Sequence, residues 1–207
     1  MLAYVYQYTL LRLKPWFSKI KKIPAIYHSI IPFILIIPVG LWNARLLGGS
    51  HVLIDDLFKN NLGIHAATSW SFVLIPILLF AIRFIFSMLS YGSSVPGGIF
   101  MPILVLGAIL GIVCANLMIK TNIITPMYYS HILVISMAAY FGAIEKAPFT
   151  AVMLITEMVG TVQQVLPIVI TVFIAYYVLD LLGGQPIYEA LRLQMDYHKL
   201  PDSNTNN

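Results

Sequence analysis

The chain carries at Gly92–Pro102 the sequence GSSVPGGIFMP, a run of glycine, serine and proline placed directly before an apolar segment. The segment that follows, Ile103–Ile119, contains no charged residue. The first amides of a helix lack partners within the helix and lie at the positive end of its dipole. The sequence therefore predicts an unwound stretch leading into a helix N-terminus that attracts anions.

The same stretch indicates a membrane protein. With the run that follows, it is about long enough to cross a hydrocarbon core of roughly 30 Å. The chain has 207 residues, of which 59% are hydrophobic and 10% charged, and its mean hydropathy is +0.87, so a soluble globular domain is excluded. Irregular backbone at membrane depth is tolerated only where protein buries it or where it lines a cavity. We therefore expect an all-α integral membrane protein in contact with the lipid bilayer.

The basic residues are unevenly distributed, although the formal net charge is only +4. One group precedes the first long apolar segment and a second follows the last apolar segment: Arg12, Lys14, Lys19, Lys21 and Lys22, then Arg192 and Lys199. By the positive-inside rule, both regions are expected on the cytoplasmic side. A basic loop beside a membrane is the usual cause of such a cluster, so nucleic acid is not an expected partner.

Hydropathy divides residues 1–200, interpreted as one transmembrane domain, from a polar tail at 201–207. The predicted spans are Ile23–Leu47, Trp70–Leu89, Phe100–Ile119 and Met127–Ile144. Shorter helices are predicted at His51–Leu57, Phe149–Val159, Leu166–Leu182 and Ile187–Gln194. Short, broken helices beside full spans are typical of transporters whose half-helices meet near the membrane midplane. No internal repeat is visible within the chain.

Several single residues are interpreted structurally. Gly107 and Gly111 lie four residues apart and favour close helix packing. Cys114 is predicted to be a small buried core residue. Arg83 is assigned first to a structural role, with a contribution to an electropositive anion path as the alternative.

The five histidines show no paired ligand spacing, so neither a metal site, a cofactor nor a catalytic centre is expected, and an enzyme is disfavoured.

The glycine break closely resembles the third selectivity-filter motif of the CLC family of chloride channels and proton/chloride antiporters. That motif is G-x-F-x-P, and Gly98–Pro102 reads GIFMP. Two further segments follow in the family's order: Ala147–Met158 is similar to R-A-P-L-T…E-M-T-G, and Gly183–Tyr188 is similar to G-G-x-P-x-Y. Gly48–Ile54 resembles a glycine-rich turn of the family. The resemblance covers nearly the whole chain but only the C-terminal half of a family member.

This resemblance implies an anion site in the second half of an inverted-repeat fold. The backbone amides of Ile99 and Phe100 would donate to a dehydrated chloride, and the Tyr188 hydroxyl would donate to the same ion from the cytoplasmic side. Chloride is large and weakly hydrated, so neutral donors and helix ends suit it. The residues expected to support this filter are Pro96, Gly97, Gly98, Met101 and Pro102.

Some features of the family pattern are altered or absent here. Lys146 stands where the family usually has arginine, and Val159 replaces the usual threonine. Glu157 is interpreted as a fixed structural residue near the subunit interface rather than as a proton carrier. The first two filter motifs, G-S-G-I-P and G-R/K-E-G-P, do not occur in the 207 residues, and the second carries the family's gating glutamate. The resemblance therefore implies a half-built anion site.

The expected function is chloride transport, by a channel or by proton-coupled antiport, with chloride as substrate and protons as a second ion. Chloride, nitrate and fluoride all remain compatible with the motifs. The expected partners are a missing N-terminal half and a second copy in a homodimer, and the expected location is the plasma membrane of a bacterium. The alternative is a non-transporting remnant, or an assembly partner that needs a separate N-terminal half.

Overall fold

The structure is a computed structural model that describes residues 1–18, 30–42, 50–58, 71–92, 99–160 and 162–194. Within these residues the chain forms nine α-helices and no strand, so the all-α prediction is confirmed. The helices are α1 (Leu2–Ser18), α2 (Ile30–Trp42), α3 (Ser50–Phe58), α4 (Ser71–Gly92), α5 (Phe100–Lys120), α6 (Tyr129–Glu145), α7 (Pro148–Val159), α8 (Val165–Leu181) and α9 (Ile187–Gln194). A 3₁₀ turn at Pro126–Tyr128 leads into α6.

The core of the protein is the contact between α5 and α6. Helix α5 is buried over most of its circumference, as expected for a helix that is apolar on all sides. Gly107 and Gly111 permit the close approach: a β-carbon at Gly107 would lie 2.9 Å from the Cα of Met137, and one at Gly111 would lie 2.8 Å from the Cα of Leu133. The packing role predicted for these two glycines is confirmed.

Helices α7 and α8 cover the C-terminal part of α6. A β-carbon at Gly142 of α6 would lie 2.7 Å from the Cγ1 of Val172 on α8, so this contact also requires glycine. An ion pair between the Lys146 Nζ and the Asp180 Oδ1, 2.5 Å apart, joins the end of α6 to α8. Helix α7 begins at Pro148, one residue before the predicted start at Phe149, since a proline at the first helical position loses no hydrogen bond.

Helix α1 packs against α4 and α6. The Tyr6 side chain is fully buried, and its hydroxyl forms a 2.9 Å hydrogen bond with the Ser87 Oγ on α4. The Tyr6 ring meets Phe84 and Tyr140 edge-on, with centroid distances of 5.7 and 6.3 Å. The N-terminal helix is therefore an integral part of the core.

In the part of the chain that the structure describes, three helical segments are long and apolar enough to cross a membrane: Val73–Tyr91, Phe100–Lys120 and Pro126–Glu145. They correspond to three of the four predicted spans. The fourth predicted span, Ile23–Leu47, is described only over Ile30–Trp42, and the polar tail lies outside the described residues. The prediction for Cys114 is wrong, because this residue is exposed on the outer side of α5.

Candidate functional site

The N-terminus of α5 provides the first part of the site. Ile99 is 1% exposed and occupies the cap position, and its carbonyl accepts a 3.1 Å hydrogen bond from the Ile103 N–H. The N–H groups of Phe100 and Met101 lie before the first hydrogen-bonded N–H of the helix, so no carbonyl of α5 accepts a hydrogen bond from them. Pro102 has no N–H to satisfy. The positive end of α5 thus begins at the residues that the sequence predicts as anion donors.

Phe100 fixes this N-terminus against α6. Its ring meets the Phe141 ring edge-on, with a centroid distance of 5.1 Å and perpendicular planes. Phe141 is itself 1% exposed, so the contact is part of the core. Met101 and Pro102 are half-buried beside it, whereas Pro96, Gly97 and Gly98 lie outside the described residues.

Tyr188 lies in the first turn of α9, beside the C-terminal end of α6. The fully buried Ile187 anchors this turn in the core. The Tyr188 hydroxyl forms a hydrogen bond with the carboxylate of Glu145, the last residue of α6. The Tyr188 side chain is 49% exposed, so it is accessible to solvent although its hydroxyl already has Glu145 as a hydrogen-bond partner.

The two halves of the site meet on one face of α6. Phe141 contacts Phe100, and Glu145 contacts Tyr188. Because Phe141 and Glu145 are four residues apart in a helix, they lie above one another, separated by about 6 Å along the axis. The geometry thus places the start of α5 and the start of α9 on successive turns at the end of α6.

A glutamine from α1 holds this end of the protein together. The Gln7 Nε2 donates hydrogen bonds of 2.7 Å to the Ile144 carbonyl and 2.7 Å to the Gln185 carbonyl. Gln7 is 3% exposed, and its bond to the Ile144 carbonyl is buried while its bond to the Gln185 carbonyl is partly buried. One side chain therefore fixes the residue before Glu145 and the turn that leads to Tyr188.

The paired glycines of the G-G-x-P-x-Y segment have separate structural roles. Gly183 adopts a left-handed conformation with φ of 75°, which glycine reaches without strain. At Gly184, a β-carbon would lie 2.8 Å from the Gln7 Oε1 and 2.7 Å from the Leu179 Cγ. These glycines reverse the chain after α8 and bring Tyr188 back to α6.

The surroundings of Tyr188 keep its hydroxyl protonated and therefore able to donate a hydrogen bond. Burial raises the pKa of the Tyr188 hydroxyl to about 12, and the negative charge of Glu145, its hydrogen bond, and the neighbouring Tyr91 and Tyr6 act in the same direction. At neutral pH the hydroxyl is therefore protonated. A protonated phenol can donate to a carboxylate or to a halide ion.

Two residues of this site were not predicted from the sequence. Gln7 lies in a helix far from the motifs, so only the fold reveals its role. Glu145 directly precedes the Lys146-Ala147-Pro148 segment, and an acidic residue at the end of an apolar run was an available signal. Within the described residues, no group of three or more histidine, cysteine, aspartate or glutamate side chains is placed to hold a metal ion.

The family model described as voltage-gated chloride channel matches residues 1–180. The chain belongs to the voltage-gated chloride channel family. The predicted resemblance to the CLC family is therefore confirmed. Together with the apolar helices, this membership establishes an integral, multi-pass membrane protein.

Relatives of this chain include two bacterial proteins, each named H(+)/Cl(-) exchange transporter ClcA. The protein of Vibrio parahaemolyticus is 36% identical over 154 residues, which cover 73% of this chain and 30% of the relative. That of Yersinia pestis bv. Antiqua is 34% identical over 157 residues, which cover 70% of this chain and 32% of the relative. The chain thus spans about a third of the length of these relatives.

A solved structure shows the same fold. The crystal structure of a slow cyanobacterial Cl-/H+ antiporter matches with a TM-score of 0.75 and 27% sequence identity. The match covers 93% of this chain and 43% of the antiporter chain. The helices described above therefore reproduce a little under half of a CLC antiporter chain.

Proposed function

We propose that this chain forms one wall of a chloride pathway in a membrane transporter. The donors are the backbone amides of Ile99 and Phe100 at the start of α5 and the hydroxyl of Tyr188 at the start of α9. The observation that carries the proposal is that Phe100 and Tyr188 contact α6 on the same face, one turn apart.

The chemistry of these donors suits a transported anion. Backbone amides and a phenol are neutral, so they can replace part of the hydration shell of chloride without binding it too tightly for release. The positive end of α5 adds a favourable potential. Membership of the voltage-gated chloride channel family and the names of the relatives support chloride as the ion.

The names of the relatives support one mode of transport. Both named relatives and the structural neighbour are proton/chloride exchangers. We therefore propose proton-coupled exchange in the complete transporter, rather than a channel or an enzyme. Since the named relatives are bacterial, we propose the plasma membrane of a bacterium as the location.

The complete pathway requires further protein. Large apolar side chains on α7 and α8 are exposed, including Phe149 (74%), Met153 (73%), Leu166 (71%) and Leu181 (69%). In a membrane such a surface contacts lipid or other helices. We propose that an N-terminal half and a second copy of the subunit cover parts of it. The same surface favours a second candidate function, a non-transporting assembly partner.

Substitution of Tyr188 tests the proposed donor. In the native assembly, purified from its membrane, Tyr188→Phe and Tyr188→Ala are expected to weaken chloride binding about tenfold, because a hydrogen bond to a charged group contributes about 1.5–3 kcal/mol. Calorimetric titration with chloride measures the affinity. Tyr177→Phe is the matched control, since Tyr177 lies on α8 and is 62% exposed. Unchanged affinity in both Tyr188 variants would remove this residue from the site.

The mass of the native species and its chloride flux distinguish the assembly-partner candidate from the transport proposal. The native species is captured from its source membrane with an antibody against residues 192–207 and its mass is measured. If that species moves chloride after reconstitution into vesicles, the transport proposal stands. A species that carries no chloride, but co-purifies with a transporter subunit, would establish the assembly partner instead.

A further inference from the structure

Glu145 is a carboxylate in contact with the proposed anion ligand. It is half-buried at the last position of α6, where its side chain forms a hydrogen bond with the Tyr188 hydroxyl. The next residue, Lys146, has φ of 55°, a left-handed conformation that ends the helix at this point. The carboxylate is thus held at a helix end, facing the tyrosine from α9.

The cation and the amide group beside this carboxylate have partners of their own. The neighbouring cation, Lys146, pairs with Asp180 on α8. The Gln7 Nε2 donates to the Ile144 and Gln185 carbonyls, so the side-chain N–H groups of this α1 residue are bonded to backbone oxygens. Two further titratable groups near Tyr188, the phenols of Tyr91 on α4 and Tyr6 on α1, are neutral at physiological pH, and Glu189 follows Tyr188 on α9 with an exposed side chain.

We propose that Glu145 competes with the anion for the Tyr188 hydroxyl and thereby makes anion binding depend on pH. A phenol has one O–H and can direct it to one strong acceptor at a time. An ionised Glu145 holds that proton and also repels an approaching anion. This inference rests on the proposed function, because it assigns the acidic competitor at the same site.

Protonation of Glu145 removes both effects. A neutral carboxyl group no longer repels the anion, and the Tyr188 O–H is released to donate to it. Anion binding therefore becomes tighter as the pH falls, and by linkage anion binding promotes uptake of one proton at Glu145. The chain itself thus contains a carboxylate that couples anion occupancy to a proton.

The test is chloride titration by calorimetry of the native assembly at pH 5.5 and 7.5, in two buffers of different ionisation enthalpy. The wild-type protein is expected to bind chloride at least about fivefold more tightly at pH 5.5, with proton uptake. Glu145→Gln is expected to bind tightly at both pH values without proton uptake. Glu189→Gln, a change at an exposed glutamate beside Tyr188 on α9, is the matched control and should behave as wild type.

Tyr188→Phe provides a second variant, in which chloride binding should be weaker and its pH dependence smaller. If chloride binds to the wild type but Glu145→Gln and Tyr188→Phe keep the full pH dependence and proton uptake, the competition is wrong and the anion site stands. If chloride fails to bind to the wild type at either pH, the proposed anion site and the competition are both overturned.

Discussion

Tyr188 illustrates how one hydroxyl depends on its neighbours. By sequence it is one of 12 tyrosines, and the resemblance of Gly183–Tyr188 to the G-G-x-P-x-Y motif of the CLC family predicts it to be an anion ligand. In the fold it meets a carboxylate, and burial together with the Glu145 charge raises its pKa to about 12. The neutral donor is therefore maintained over the whole physiological range.

The ionisation of Tyr188 provides a prediction that does not require chloride. The difference in ultraviolet absorbance between wild type and Tyr188→Phe isolates this tyrosinate, and its midpoint is expected near pH 12. Glu145→Gln should lower the midpoint without restoring the ordinary tyrosine value, because burial is the larger cause. The pKa of Tyr188 is higher in the folded state than in the unfolded state. Its contribution to the free energy of unfolding is therefore complete below about pH 10 and declines as the pH rises towards 12.

The control for this titration is Glu157→Gln, an exposed carboxylate on α7. It should leave the midpoint unchanged. An equal shift in Glu157→Gln and Glu145→Gln would mean that total charge, and not the Glu145 contact, controls the ionisation of Tyr188.

At the scale of elements, the central feature is the glycine-mediated contact between α5 and α6. Gly111→Val is expected to destabilise the protein by about 1–3 kcal/mol, because added atoms in a tight interface force side chains or backbone to shift. Thermal unfolding in detergent measures the change. The matched control is Cys114→Val, which adds bulk to the exposed side of the same helix. Equal stability of the two variants would contradict close packing at Gly111.

The sequence predicted elements better than it predicted their contacts. The bounds of α9 match the prediction at both ends, and α5 differs by one residue, because glycine and proline breaks flank uniform apolar runs. The burial of Cys114 was predicted wrongly, since a helix apolar on all sides gives no indication of which side faces inward. The Glu145 contact escaped prediction because it depends on how α9 returns to α6.

For the whole molecule, Gln7 is the residue that joins distant parts of the fold. Gln7→Leu removes both hydrogen bonds and leaves the Ile144 and Gln185 carbonyls without this donor, so a loss of about 1–3 kcal/mol in stability is expected. Chloride affinity should fall as well, because the turn before Tyr188 is no longer fixed. Thermal unfolding and chloride titration measure the two effects.

Tyr8→Phe, a change at an exposed position one residue further along α1, serves as the control for Gln7→Leu. It should alter neither stability nor affinity. If Gln7→Leu unfolds normally and binds chloride with wild-type affinity, α1 does not support the site.

The Gln7 bridge also sets an order of events during biosynthesis. Its two acceptor carbonyls lie 137 and 178 residues further along the chain, so α1 leaves the ribosome long before either acceptor exists. Because membrane proteins begin to fold as the chain is made, α1 enters the bilayer first, and the bridge cannot form until residue 185 has been synthesised. The turn that precedes α9 thus completes the bridge, and a chain that stops before Gln185 lacks an assembled Tyr188 site.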